Sequence, residues 1–184
     1  MMNKLGFLLL AYLATTATAS AGGFSLTSPQ LQAGGHIVNE QVFNSFGCQG
    51  DNISPSLHWT NPPAGTKSFA VTVYDPDAPT GSGWWHWVVF NIPSDVRSLP
   101  KGAGGSRSGA MPADSVQSRT DFGKPGYGGP CPPAGDKAHR YQFTVYALKT
   151  DKLPLDESAP AAMVGFYLHQ NLLEKVVLEA DYGR

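Results

Sequence analysis

Apolar and polar positions alternate along most of this chain in short runs, each closed by a cluster of turn residues. Phe24-Ser-Leu-Thr27 is a brief alternating start, and Ser54-Pro-Ser-Leu-His-Trp59 leads into a turn at Pro62-Pro-Ala-Gly65. Phe69–Tyr74 and Trp87–Ile92 are rich in β-branched and aromatic side chains, the composition of buried strands. In Tyr141–Leu148 one side carries Tyr, Phe, Val and Ala and the other Gln, Thr, Tyr and Leu. A strand apolar on both faces belongs in a sheet that is covered on both sides.

Near the end the period changes. Ser158 can cap a helix, Pro160 suits its first turn, and Val164, Tyr167, Leu168, Asn171, Leu172 and Lys175 follow helical spacing. Val176–Tyr182 then returns as a last strand. Residues 101–118 hold Gly, Ser and Ala with few large apolar groups and read as a long surface loop, of the kind that is often functional. The pattern predicts a mainly β protein with minor α, its helical part packed at the edge.

The chain's beginning has a different character. Lys4 is the only charge before the apolar run Leu5–Leu13, and Ala19-Ser-Ala21 offers a small-x-small cleavage site. A bilayer span needs roughly 20 apolar residues, so this run reads as a secretory signal over residues 1–21. Cleavage falls before Gly22, with cleavage after Ala19 as the alternative. Residues 22–184 then suit a single domain. Loss of Lys4 takes the formal charge from −1 to −2, since the signal contains no acid. With no basic run, nucleic acid is not a partner, and with no later spanning segment the chain is expected to be periplasmic or secreted. Its two cysteines, Cys48 and Cys131, are expected to pair as a disulfide in an oxidising compartment. Two separate thiols in Gly-rich turns are the alternative. Neither cysteine belongs to a Cys-x-x-Cys or Cys-x-His pair, so no metal site is expected.

Two stiff stretches carry the candidate chemistry. The first is Asp75-Pro-Asp-Ala-Pro79 followed by Trp84-Trp-His-Trp87; the second is Tyr127-Gly-Gly-Pro-Cys-Pro-Pro-Ala-Gly135 with His139-Arg-Tyr141. In an extended segment Asp75 and Asp77 point the same way, and His86 and His139 are their natural partners. A carboxylate on one ring nitrogen orients an imidazole and leaves the other nitrogen to donate to an anion. The Gly128–Gly129 turn adds amide donors, as successive N–H groups form an anion-binding nest. Trp84, Pro79, Pro132 and Pro133 supply walls, Tyr141 sets a hydroxyl at the rim, and Trp85 and Trp87 pack into the core. This suits a phosphate monoester or small zwitterion. The plainer alternative is turn chemistry: an Asp before Pro bonds amides two residues on, and a histidine among tryptophans is a satisfied core group. An Asp–His pair also permits hydrolysis, but no convincing nucleophile accompanies it.

The segments Asp75-Pro-Asp-Ala-Pro79, His86-Trp-Val-Val-Phe-Asn91 and Pro132-Pro133…His139-Arg-Tyr141 resemble the signature blocks of the phosphatidylethanolamine-binding protein (PEBP) family. The run Asp75–Trp87 and Gly47-Cys-Gln-Gly-Asp-Asn-Ile-Ser-Pro-Ser56 resemble its bacterial YbhB/YbcL, Raf kinase inhibitor-like branch, nearest to its exported members. The resemblance implies an antiparallel Greek-key β-sandwich with a large central sheet, a smaller second sheet and a C-terminal helix. It places Asp75, Asp77, Pro79, Trp84 and His86, with Gly129, Pro132, Pro133, His139 and Tyr141, at ligand-binding positions. It implies a phosphorylated or other small anionic ligand, a signalling, envelope or host protein as partner, no cofactor and no catalytic residue, and it allows a homodimer. A protein-interaction module with a vestigial pocket is the alternative, loop 101–118 being its natural surface. Where animal members read Gly-x-Gly-Pro-Pro, this chain has Gly129-Pro-Cys-Pro-Pro133, a stiffer loop with fewer N–H donors.

Overall fold

The computed structural model describes residues 22–105 and 108–184, so the expected export signal at 1–21 lies outside the described residues. Among the described residues eight strands and one α-helix follow in order, with a short 3-10 helix at Asn39–Gln41 between the first two strands: β1 (Ser25–Thr27), β2 (Leu57–Thr60), β3 (Ser68–Asp75), β4 (Trp84–Pro93), β5 (Ser98–Leu99), β6 (Val116–Gln117), β7 (His139–Leu148), α1 (Ala161–Asn171) and β8 (Leu172–Tyr182). They form a five-stranded antiparallel sheet, β6-β4-β3-β7-β8, and a three-stranded one, β1-β2-β5. Within the larger sheet β7 returns to lie beside β3, giving the order β7-β3-β4-β6 of a Greek key.

The two-faced pattern of the central strands has the expected cause. Phe69, Val71, Phe143 and Val145 face the smaller sheet and pack with Leu57 and Trp59 from β2. The alternate residues Ala70, Tyr146 and Leu148 turn the other way and pack under Val164 and Leu168 of α1. Each face of the large sheet is therefore covered, once by a sheet and once by a helix.

Strand β4 is longer than the partner it pairs with, and the surplus is taken up in two bulges. Phe69 is opposite Ile92 but Val71 is opposite Val89, and Val73 is opposite Trp87 but Tyr74 is opposite Trp85. The second step leaves His86 as the extra residue. A bulge reverses the inward–outward phase of the strand beyond it. Trp87 stays in the core between the sheets, Trp85 packs toward the helix face against Tyr74, and His86 is turned onto the same side as Tyr141.

Two expectations are corrected. The helical spacing through Leu172 and Lys175 does not persist as helix: α1 stops at Asn171 and Leu172 already begins β8, which pairs along the whole of β7. Ser158 is not its cap; its hydroxyl is bonded to Asp156, and Pro160 occupies the cap position. Residues 101–118 are not wholly a surface loop either. Ala103 and Ser118 are buried, the Gly104 amide donates to Ser54 Oγ, and Val116–Gln117 is the edge strand of the large sheet.

Candidate functional site

Three adjacent strands deliver polar side chains to one end of the large sheet: Asp75 closes β3, His86 sits at the bulge of β4, and His139 and Tyr141 open β7. All four are nearly or wholly buried. Above them lies a cavity of about 180 Å³. Its polar floor is Asp75, His86, His139 and Tyr141, and its walls include Pro79, Trp84, Pro132 and Pro133.

Asp75 is fully engaged. One carboxylate oxygen accepts the amides of Asp77 at 2.8 Å and Ala78 at 3.1 Å, which shapes the turn after β3. The other accepts His139 Nδ1 at 2.8 Å, with both side chains 4% exposed. The turn role and the histidine partnership, opposed as alternatives in the sequence, are both present in one side chain. His139 Nε2 lies 3.6 Å from Asp136, so this imidazole is held between two carboxylates.

His86 is held differently from the expectation. Its Nδ1 is 2.7 Å from the carbonyl of Gly128, not from a carboxylate. A carbonyl only accepts, so Nδ1 carries the hydrogen and the neutral ring presents Nε2 to the cavity as an acceptor. Burial pushes the His86 pKa below its ordinary value, opposed by the Gly128 carbonyl and the Asp75 charge. The neutral form is thereby favoured.

The anion nest is also not as expected. The Gly128 amide donates to the His86 carbonyl, and the Gly129 amide donates to Asn52 Oδ1 at 2.7 Å. Gly129 does not line the cavity; its lack of a side chain lets the loop cross Gln41–Phe43, where a Cβ would come within 2.0 Å of the Gln41 carbonyl oxygen. Asp77 is likewise turned away from Asp75. It takes a two-pronged ion pair from Arg140, with both bonds at 2.9 Å, plus the Arg140 amide at 3.0 Å. That pairing holds its carboxyl well below the usual carboxylate range, against the opposing effect of partial burial. The Tyr141 hydroxyl is at the floor instead of the rim, with no hydrogen-bond partner among the described residues. Burial first, and the nearby Asp75 charge second, push its pKa up.

Sequence reading missed Phe46, Ala78, Thr80 and Phe122 among the lining residues. Phe46, Phe43 and Phe122 form an aromatic group, with centroids 5.4 Å apart for Phe43–Phe46 and 4.5 Å for Phe43–Phe122. Exposed Phe46, held at φ 55°, was a visible signal as an aromatic residue inside a turn cluster. Asn52 was missed too; it receives Gly129 and donates to the Tyr127 carbonyl, holding the wall loop. Cys48 and Cys131 are joined, tying the Phe43–Asn52 segment to that loop, and Cys131 itself lines the cavity. Arg184 reinforces the tie by donating to the carbonyls of Pro132 and Gly47.

The fold and these positions define a class. The family model of the phosphatidylethanolamine-binding protein matches residues 27–183, and the chain belongs to that family. Among its relatives, YbcL of Escherichia coli (strain K12) is 53% identical over 167 residues, which is 91% of each chain. YbhB of the same strain is 55% identical over 158 residues, covering 86% of this chain and 99% of YbhB. The crystal structure of E. coli YbcL, described as a new member of the mammalian PEBP family, is 51% identical with a TM-score of 0.87, covering 89% of this chain and 99% of YbcL.

Proposed function

We propose that this chain is a non-enzymatic binding protein whose cavity holds a small anionic group, a phosphate or phosphorylated headgroup above all. Occupancy of the cavity is read by a protein partner in the cell envelope or, after release, in a host. The observation that carries this reading is the floor of the cavity: an Asp75–His139 pair and an oriented His86 imidazole, set among proline and aromatic walls. Sites for small ligands combine apolar walls with a few fixed polar groups in this way.

The contents of the cavity favour binding over turnover. Asp75–His139 has the form of a general-base pair, but the aliphatic hydroxyl and the sulfur beside it are committed. The Thr80 hydroxyl donates to the Gly83 carbonyl, and Cys131 is bonded to Cys48. Export to the envelope rests on the N-terminal sequence pattern.

The test is titration of the oxidised protein with phosphate, O-phosphoethanolamine and phosphotyrosine, read by tryptophan fluorescence, since Trp84 lines the cavity. Saturation by one of them, lost in His86→Ala, is the expected result. Absence of binding by all three removes the anion reading and leaves the protein-interaction role.

A further inference from the structure

Apart from the unpartnered Tyr141 hydroxyl, the cavity is poor in donors for a site that takes anions. Among the described residues lining it none is Lys or Arg. The Gly128 and Gly129 amides are spent inside the protein, and Pro132 and Pro133 have none to give. Charge near the floor is of the wrong sign for a dianion: Asp75 on β3 and Asp121 in the loop between β6 and β7 face His86, while Asp136 faces His139. Asp77 is neutralised by Arg140, and among the described residues no Lys or Arg stands over Asp75, whose side-chain partner is His139.

The one oriented nitrogen of His86 is an acceptor. Its Nδ1–H is committed to the Gly128 carbonyl, so a neutral ring cannot turn Nε2 into a donor without taking a second proton. Burial opposes that charge. An oxygen set against Nε2 must therefore bring its own hydrogen.

We infer that the cavity selects the singly protonated form of a phosphate monoester, whose P–OH donates to His86 Nε2, and rejects sulfate esters of the same shape. The inference rests on the anion reading above and gives it a ligand class. A phosphate monoester has a second pKa of about 6 and can keep one hydrogen near neutral pH. A sulfate ester has no hydrogen to offer and leaves Nε2 facing a fully ionised oxygen. His86 is on this account the specificity-determining residue, acting as acceptor.

The experiment compares phenyl phosphate with phenyl sulfate by calorimetry on the oxidised protein, from about pH 5.5 to about pH 8. Phenyl phosphate is expected to bind best at the acid end and to weaken about tenfold per pH unit above its second pKa, with proton uptake from the buffer rising toward one per ligand bound across that pKa. Phenyl sulfate is expected to bind at least about tenfold more weakly than phenyl phosphate at the acid end, the usual penalty for an unmade buried hydrogen bond, with no pH slope and no proton uptake. In His86→Gln the side-chain amide can rotate to donate, so the sulfate ester gains on the phosphate ester. A purely structural role for His86 weakens both esters alike. Equal affinities with no pH slope overturn the inference and leave the anion cavity standing. Sulfate binding with proton uptake puts the proton on the imidazole and also overturns it. If neither ester binds at any pH, the anion reading falls and this inference with it. Should His86→Gln not fold, the two esters on the unaltered protein still decide.

Discussion

Tyr141→Phe should stabilise this protein. The Tyr141 ring is wholly buried between the sheets, packed edge-on to His86 with centroids 5.2 Å apart, and its hydroxyl oxygen has no hydrogen-bond partner among the described residues. Asp75 is close enough for its charge, and for a marginal hydrogen bond short of good geometry, to hold the phenol proton in place. A hydroxyl desolvated without a partner costs about 1–3 kcal/mol on mutational scales. Phe keeps the ring and every apolar contact while removing the stranded oxygen, at the expense of a void smaller than a methyl group. The net gain is about 1 kcal/mol, which for a chain of this size raises Tm by about 2–4 °C. Thermal and urea unfolding followed by circular dichroism at pH 7 measure it. A Tm lowered by a few degrees would show that the hydroxyl is bonded in solution, with Asp75 as the acceptor, and would refute the reasoning.

Four further outcomes follow from the same geometry. Replacing both Cys48 and Cys131 by Ser opens a closure between residues 83 apart, worth roughly 4–5 kcal/mol on the loop-entropy model; an unchanged guanidinium midpoint contradicts it. Asn52→Ala strands the Gly129 amide and the Tyr127 carbonyl and should cost about 1–3 kcal/mol in urea unfolding, whereas a loss below half of that means the loop is held by other groups. Because burial lowers the His86 pKa from 6.5, the unfolded chain takes up a proton before the folded one does as pH falls. This contribution is complete above pH ~6.5 and lost below it, at up to about 1.4 kcal/mol per pH unit, so stability between pH ~7.5 and ~5 should decline in the wild type and less in His86→Gln. Asp77, lowered by Arg140, contributes stability that is present above the ordinary carboxylate pKa of about 3.9 and lost as pH falls below it, so Asp77→Asn should flatten the acid limb of the stability curve; coincident limbs count against that role.

The sequence showed the site's members more readily than their bonds. The runs that became β3, β4 and β7 were legible because their faces are set by a two-residue period, which is a local property. The end of α1 was not, because Leu172 and Lys175 satisfy the helical spacing equally well and only the long pairing of β8 with β7 decides against it. Asp75 and Asp77 were expected on one side, which holds only while the strand continues. The strand ends at Asp75, whose own carboxylate gathers the next amides and turns the chain, so Asp77 comes to Arg140 on the neighbouring strand.

His86 is the sharpest case. Were the strand read at Trp87–Ile92 simply continued back to Trp84, counting from Val89 would put His86 on the helix face, away from the cavity. What reverses it is one unmatched residue against β3, fixed by a partner strand and by the Gly128 loop that holds both the backbone and the ring of His86. The same loop also settles the chemistry, since a carbonyl on Nδ1 makes the nitrogen beyond it an acceptor where a sequence argument from carboxylate partners had made it a donor. A bulge chosen by long-range pairing thus sets which side chain enters the cavity, and a backbone carbonyl sets which hydrogen it asks of the ligand.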